Sequence, residues 1–356
     1  MDDSLFRELE KNAIRNKVPI GGKFELTPRC TLDCKMCYVH LNKNQMDESK
    51  ELSTSDWLKI IDSALDNGLV YALLTGGECM LHRGFAEIYE HIQQRGCIVT
   101  INTNGFVLLQ QHIDLFRKFP PRGINISIYG ASEDSYEALT GVRAYERVTK
   151  NIRLLKELGM RVSISITPSR YLQSDVLKII EFCKREGLKS NITYSLTDAR
   201  EETGRSIENY GLTPDEELAL RKQVFEYNKL TPYNNPADIH IPSIQAEPSD
   251  YFGVTCKAGN CSYFVTWDGV MHPCYKMLDI GSSLLENNFS DAWKEISSAC
   301  KQVIRPVECE SCDLRAKCSN CYLKRANPVD PNHCNPDMCL RTKLKLQNGL
   351  DQYSRT

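Results

Sequence analysis

The sequence predicts an α/β domain with a parallel sheet, followed by a smaller cysteine-rich region. Three observations carry this expectation. Strand-like and helix-like segments alternate from Lys23 to Thr197. Ten of the sixteen cysteines fall between Cys256 and Cys339. Between the two regions the pattern dissolves into Pro- and Asn-rich sequence.

The alternation reads in order. "KFELT" (Lys23–Thr27) is a first strand. "STSDWLKIIDSALDNG" has a Ser/Thr start, apolar residues Trp57, Leu58, Ile61 and Leu65 at helical spacing, and a stop at Gly68. The segments "LVYALLTGG", "CIVTINTNG", "GINISIYG", "RVSISITP" and "NITYSLT" read as five further strands. Between them "GFAEIYEHIQQRG", "QQHIDLFRKF", "YERVTKNIRLLKELG" and "LKIIEFCKREG" read as helices. Six strands alternating with helices imply a parallel sheet, and periodicity leaves open whether it stays open or curls into a barrel. "TPDEELALRKQVFEYNKL" is a capped helix beyond the sheet. The expected organisation is a helical extension over 1–22, the α/β domain over 23–235, a linker over 236–255, the cysteine-rich domain over 256–340 and a tail over 341–356.

A chain of 356 residues holds one large domain and a smaller one. A formal net charge of −2 argues against nucleic-acid and membrane-surface partners. The start, "MDDSLFRELEKNAIRNK", is charged and has no apolar core, so it does not read as a signal peptide. No apolar run approaches the roughly 20 residues of a membrane span. A cytoplasmic location is therefore expected. In that compartment clustered cysteines are metal ligands or catalysts rather than disulfides.

Cys30, Cys34 and Cys37 form a C-x3-C-x2-C group just after the first strand. Three thiolates can hold three irons of a cubane and leave the fourth open to a chelating substrate. A chance loop, or a zinc site completed by His40, is the blander reading of the cysteines alone. "TGGE" (Thr75–Glu78) follows the second strand, "NTNG" (Asn102–Gly105) ends the third and "SIYG" (Ser127–Gly130) ends the fourth. On these motifs the segment Lys23–Leu196 resembles the radical S-adenosylmethionine (SAM) enzymes, whose fold is a partial (βα)6 TIM-like barrel. The resemblance implies a 4Fe–4S cluster on Cys30, Cys34 and Cys37. It also implies SAM contacts from Gly76, Gly77, Glu78, Asn104, Ser127 and Arg143. Two positions depart from the usual pattern: Met36 replaces an aromatic residue, and Cys79 replaces the proline after GGE. Cys79 is thereby a candidate catalytic thiol.

The later cysteines read Cys256-x4-Cys261-x7-Gly269-x4-Cys274, then Cys309-x2-Cys312-x5-Cys318-x2-Cys321, then Cys339. This is similar to the SPASM domain that follows some radical SAM barrels and carries two auxiliary 4Fe–4S clusters. "VTWDGVMHPC" reads as a hairpin with Asp268-Gly269 at its turn. The resemblance assigns Cys256, Cys261, Cys274 and Cys321 to the first cluster, and Cys309, Cys312, Cys318 and Cys339 to the second. Cys334 rivals Cys339 as the last ligand, and Cys300 has no assigned partner. Zinc is the alternative metal, since C-x2-C pairs suit it too, although five residues between the pairs is short for a zinc ribbon. Cys97 and Cys183 read as buried packing thiols and His272 as a hairpin surface residue. Tyr129 and Tyr275 fit either a cavity wall or packing.

The resemblance implies hydrogen abstraction by a 5′-deoxyadenosyl radical. The expected substrate is a ribosomally made peptide, with a thioether or carbon–carbon crosslink or another oxidation as the outcome. The expected partners are that peptide, a separate leader-recognition protein because only about 22 residues precede the first strand, and a ferredoxin or flavodoxin reductant. The alternatives are a small-molecule dehydrogenase or epimerase, for instance of an aminoglycoside, and a non-catalytic electron carrier. A sulfatase-maturating role is disfavoured by Tyr275, which stands where that subgroup has an aspartate.

Overall fold

Six parallel strands stand side by side in chain order: β1 (Gly21–Glu25), β2 (Tyr71–Thr75), β3 (Ile98–Thr103), β4 (Gly123–Ser127), β5 (Val162–Ile166) and β6 (Lys189–Ile192). The structure, a computed structural model, describes residues 3–39, 41, 46–47, 50–194, 196, 200, 209–230, 254, 256–315, 317–319, 321–326 and 330–350. The α2 (Thr54–Asp66), α3 (Phe85–Gln94), α4 (Gln110–Lys118), α6 (Tyr145–Glu157) and α7 (Val176–Glu186) helices connect successive strands, as the sequence periodicity predicts. The whole is a partial barrel followed by a cysteine-rich region.

Each of the first five strands has one apolar face. Phe24, Leu74, Ile101, Ile126 and Ile164 are fully buried towards the helices, where Phe24 meets the Trp57 ring edge-on at 6.1 Å. The opposite face is polar. Asn125 on β4 donates to Asn102 Oδ1 on β3 at 2.8 Å, and Ser163 on β5 donates to Asn125 Oδ1 at 2.5 Å. A parallel sheet packed on both faces carries near-continuous apolar runs. This alternation instead gives the barrel a hydrogen-bonding interior.

The first of the tail's strands joins the barrel. β7 (Ser262–Val265) pairs in parallel with β1, and β8 (Val270–His272) and β9 (Ser282–Ser283) extend the same sheet. The hairpin turn is longer than the two residues the sequence suggested. Thr266 and Val270 form the closing pair around Trp267-Asp268-Gly269, with Gly269 at φ +86°. Such a three-residue loop needs its last residue left-handed, and glycine meets that need without strain.

Some elements differ from the sequence reading. β1 starts two residues earlier than expected, which leaves Thr27 in the cysteine loop, and β6 precedes most of the "NITYSLT" segment. Two further helices, α5 (Glu133–Thr140) and α9 (Phe289–Gln302), lie outside the segments read as helical; α5 is short and stands on its ends, whereas α9 buries Phe289, Ala292, Trp293, Ile296 and Cys300 along one face. Ser132 accepts from Ser135 N at the start of α5 and Gly141 closes it at φ +71°. Asn288 accepts from Asp291 N at the start of α9. α1 (Asp3–Asn16) fills the expected helical extension. The last helices are α8 (Pro214–Leu230), α10 (Tyr322–Arg325) and α11 (Pro336–Gln347). Arg341 of α11 pairs with buried Glu217 of α8 and donates to Leu212 O at 2.8 Å, which ties the end of the chain to the barrel side. The expected boundary near 235, the linker apart from Val254, and His40 lie outside the described residues, as do 351–356 of the tail.

Candidate metal centre

The loop after β1 carries Cys30, Cys34 and Cys37 and is held from three sides. The chain beyond β2 pairs with it first: Gly77 N donates to Thr27 O and Glu78 N to Arg29 O, both at 2.8 Å. The end of α5 holds it next, through Asp33 N to Thr140 O at 2.9 Å and Lys35 N to Leu139 O at 3.0 Å. These two carbonyls are orphans of the last helical turn, so the cysteine loop serves as the cap of α5. Asn104 is the third contact, donating to Cys30 Sγ at 3.3 Å and to Thr31 Oγ1 at 3.2 Å.

The glycine pair is explained by this clamp. A Cβ on Gly77 would stand 2.4 Å from Arg29 O and 2.5 Å from Pro28 O; one on Gly76, at φ +154°, would stand 2.5 Å from Thr27 O. The sequence suggested glycines for close approach to a ligand, and here the close approach is to the cysteine loop itself. Gly77→Ala is therefore expected to displace that loop and to cost about 1–3 kcal/mol as an overpacking change. A lowered denaturation midpoint together with lost SAM cleavage checks it; wild-type values in both would sink the clamp.

Glu78 is wholly buried, and its four lone-pair sites are all addressed. Oε2 accepts from Thr103 Oγ1 at 2.7 Å and Asn104 N at 2.9 Å; Oε1 accepts from Met80 N at 3.3 Å and, weakly, from the Cys79 thiol at 3.8 Å. Burial raises its pKa, and these donors pull it back down. A ligand ammonium reaching Glu78 would displace one donor, and the thiol is the weakest. Cys79 also lies 3.5 Å from Asn102 O, fully enclosed, and burial beside Glu78 pushes its pKa well up. That keeps it a thiol. Cys30 is likewise pushed up to about 12, by burial first and then by Glu78 and Cys37 as like charges.

Tyr129, enclosed beside Ser127, interacts with all three front cysteines and packs edge-on against Tyr136 at 6.0 Å. The phenol of Tyr136 reaches Ser127 O at 3.5 Å. Arg143 is elsewhere. It is half exposed and paired with Asp134 at 2.6 Å and Glu137 at 3.0 Å on α5, so any SAM contact would require it to leave both.

One cluster escaped the sequence reading. Glu25, 1 % exposed at the end of β1, makes two 2.8 Å bonds to Arg200. Asp268 at the hairpin turn adds a like charge, and among the described residues its buried Oδ1 has no hydrogen-bond partner. Arg200 N also donates to Tyr38 O, and the Tyr38 ring tilts against Tyr275 at 5.3 Å. The available signal was two charges, Lys23 and Glu25, at alternate positions of a strand otherwise headed for burial.

In the tail the cysteines fall into two groups. Burial pushes the Cys256 and Cys274 thiols up, with Cys321 adding to the rise at both and Lys23 of β1 opposing it at Cys256, and burial likewise pushes Cys261 up to about 11. Buried Cys300, read as partnerless, packs against Gly259, and burial, with Cys256 and Cys274 adding to it, pushes its thiol up to about 12. Cys309, Cys312, Cys318, Cys334 and Cys339 line a cavity of their own. His272 is buried rather than superficial, because the hairpin lies within the sheet; Nδ1 meets Ile280 O at 2.8 Å. Cys97 and Cys183 are buried in the core.

Residues 24–183, from β1 through most of α7, match the Radical SAM superfamily. The chain is a radical SAM enzyme. Its cofactors are SAM and the 4Fe–4S cluster of that family. This radical SAM enzyme is 24 % identical over 322 residues to the antilisterial bacteriocin subtilosin biosynthesis protein AlbA of Bacillus subtilis, covering 87 % of this chain and 68 % of that protein. It is 25 % identical over 290 residues to a probable GTP 3′,8-cyclase of Saccharolobus islandicus, covering 77 % and 89 %. The fold matches Streptococcus suis SuiB bound to its precursor peptide SuiA, with a TM-score of 0.71, 17 % identity and coverage of 92 % of this chain and 78 % of that one. Among the described residues no helix of the enzyme is long and apolar enough to cross a membrane.

Proposed function

We propose that this radical SAM enzyme is an oxidative peptide maturase. In this reading Cys30, Cys34 and Cys37 hold the SAM cluster. Cys256, Cys261, Cys274 and Cys321 hold a first auxiliary 4Fe–4S cluster, and the cavity thiols of the tail hold a second. The donor chemistry fits. Asn104 offers an amide donor to a thiolate at Cys30, and Lys23 offers a cation beside Cys256. Bound to its cluster, SAM supplies a carbon radical able to take hydrogen from an unactivated carbon.

The chain's own residues position and protect that chemistry. Gly76, Gly77 and Glu78 clamp the cysteine loop, Tyr129 and Tyr136 shield it from water, and Ser127 stands at the mouth of β4. Glu25, Arg200, Asp268, Tyr38 and Tyr275 line the side towards the tail.

The carrying observation is β1. The strand that launches the front cysteine loop also pairs with β7, whose hairpin leads to Cys274. One continuous sheet thus links the loop of Cys30, Cys34 and Cys37 to the hairpin before Cys274, and clusters held by these cysteines would supply redox chemistry at both ends of that link. The similarity to AlbA and the SuiB fold favour a peptide as the substrate.

Co-expression with short peptides encoded beside the gene tests this. Mass spectrometry is expected to show a peptide that has lost two hydrogens, and Cys30, Cys34 and Cys37 changed together to Ala should abolish the loss. An unchanged mass that gains deuterium in heavy water would replace oxidation by epimerisation. Neither change, with 5′-deoxyadenosine still formed, would overturn the peptide and favour a small molecule, as the GTP cyclase relative suggests.

A further inference from the structure

The cavity in the tail presents five thiols, and a 4Fe–4S cluster takes four thiolates. The surplus is built into one helix end. Asn335 caps α11, accepting from Asp337 N at 3.0 Å and Met338 N at 3.4 Å. Cys334 immediately precedes that cap, and Cys339 is the fourth residue of the helix. Side chains at these two positions meet across the first helical turn, the geometry in which an apolar pair staples a helix start. Here the pair is two thiols, and both line the one cavity.

Cys334 is also held against the rest of the set. Its Sγ lies 3.7 Å from Cys309 Sγ. Its backbone N donates to Glu308 Oε2 at 3.0 Å, and Glu308 Oε1 is 2.7 Å from His333 Nδ1. Asn335 N donates to Arg325 O at 2.6 Å, closing the segment onto α10. Cys334 is therefore no stray surface thiol: it is anchored on both sides, touches Cys309 and shares the cavity with Cys339. The positive end of α11 favours anionic sulfur at either place.

We infer that Cys334 and Cys339 are alternative ligands to one iron of the second auxiliary cluster, either one completing the set with Cys309, Cys312 and Cys318. The inference rests on the proposal that this cavity holds a 4Fe–4S cluster. Two thiols lining one cavity at the same helix end can each present sulfur to an iron held there.

The test is iron and sulfide content, with electron paramagnetic resonance of the reduced clusters, on anaerobically reconstituted full-length protein. The wild type is expected to hold about 12 irons, three cubanes of four. Cys334→Ala and Cys339→Ala should each keep the full count and an all-thiolate cubane spectrum. The double variant, left with three thiolates, should lose that spectrum for one of an open-site cubane, with or without loss of the fourth iron. Cys339→Ala showing the same spectrum as the double variant would overturn the inference and leave Cys334 a bystander. Cys334→Ala alone losing iron would overturn it in the other direction. About eight irons in the wild type would instead defeat the cluster assignment itself. Circular dichroism and SAM binding at the front site verify folding in each variant. Serine replacements at the same positions repeat the comparison with a smaller change in shape.

Discussion

Glu78→Gln is expected to weaken SAM binding at least tenfold and to destabilise the fold by about 1–3 kcal/mol. The carboxylate has oxygens only, and it answers donors on both sides. A glutamine keeps one acceptor and places an NH2 group against either the Thr103 and Asn104 donors or the Met80 amide. Relief of burying a charge offsets part of the lost bonding, which keeps the stability cost moderate. The larger effect falls on the site. Asn104 donates its backbone N–H to Glu78 and its side-chain amide to Cys30, so a shift at position 78 moves the donor at the first cysteine. Calorimetric titration with SAM and chemical denaturation check the two parts. Undiminished SAM affinity would remove Glu78 from the site.

The pH dependence has a definite sign. Burial raises the pKa of Glu78 above its unfolded value, so the folded state holds that proton more tightly. Its contribution to stability is complete below the unfolded carboxylate pKa and fades as pH rises through the folded one. An ammonium ligand prefers the charged carboxylate. SAM affinity should accordingly rise with pH across the titration of Glu78, and the glutamine variant should lose that slope.

Arg200→Met is expected to cost about 3–5 kcal/mol, because it leaves Glu25 buried without its cation. Arg200 and Glu25 are 11 % and 1 % exposed, so water cannot replace the lost partner. Burial already raises the pKa of Glu25, with Arg200 opposing and Asp268 adding to the rise. Without the arginine the carboxyl takes up a proton at higher pH than before. The variant should therefore be most stable at low pH and lose stability more steeply than the wild type as pH climbs. Denaturation midpoints across pH measure this. Adding Glu25→Gln should recover most of the loss; a double variant no better than the single would show that Arg200 acts through other contacts.

Much of the site was legible because its chemistry is local. Cys30, Cys34 and Cys37 sit within one loop, and TGGE, NTNG and SIYG each mark the end of a strand. Local signals of this kind survive in one dimension: thiols at short spacing, and glycines at a place where a Cβ would strike backbone. The fold class was legible for a similar reason, since strand and helix periods are properties of short windows. Less legible was α5, eight residues long and dependent on its caps, whereas α9 carries a full apolar period from Phe289 through Trp293 and Ile296 to Cys300 that the sequence did display.

The sequence by itself determined the alternating α/β order, the three cysteine groups by spacing and the glycine pair after β2. Only the tertiary structure decided what those features touch. It joined β7 to β1, which lie far apart in the chain, so that the cysteine-rich tail shares the barrel's sheet. It brought Arg200 onto Glu25, turned Arg143 to the surface of α5, and set Cys334 and Cys339 together in one cavity. These are contacts between distant segments. Their geometry follows from how strands pair and helices pack, and no spacing within the chain records it.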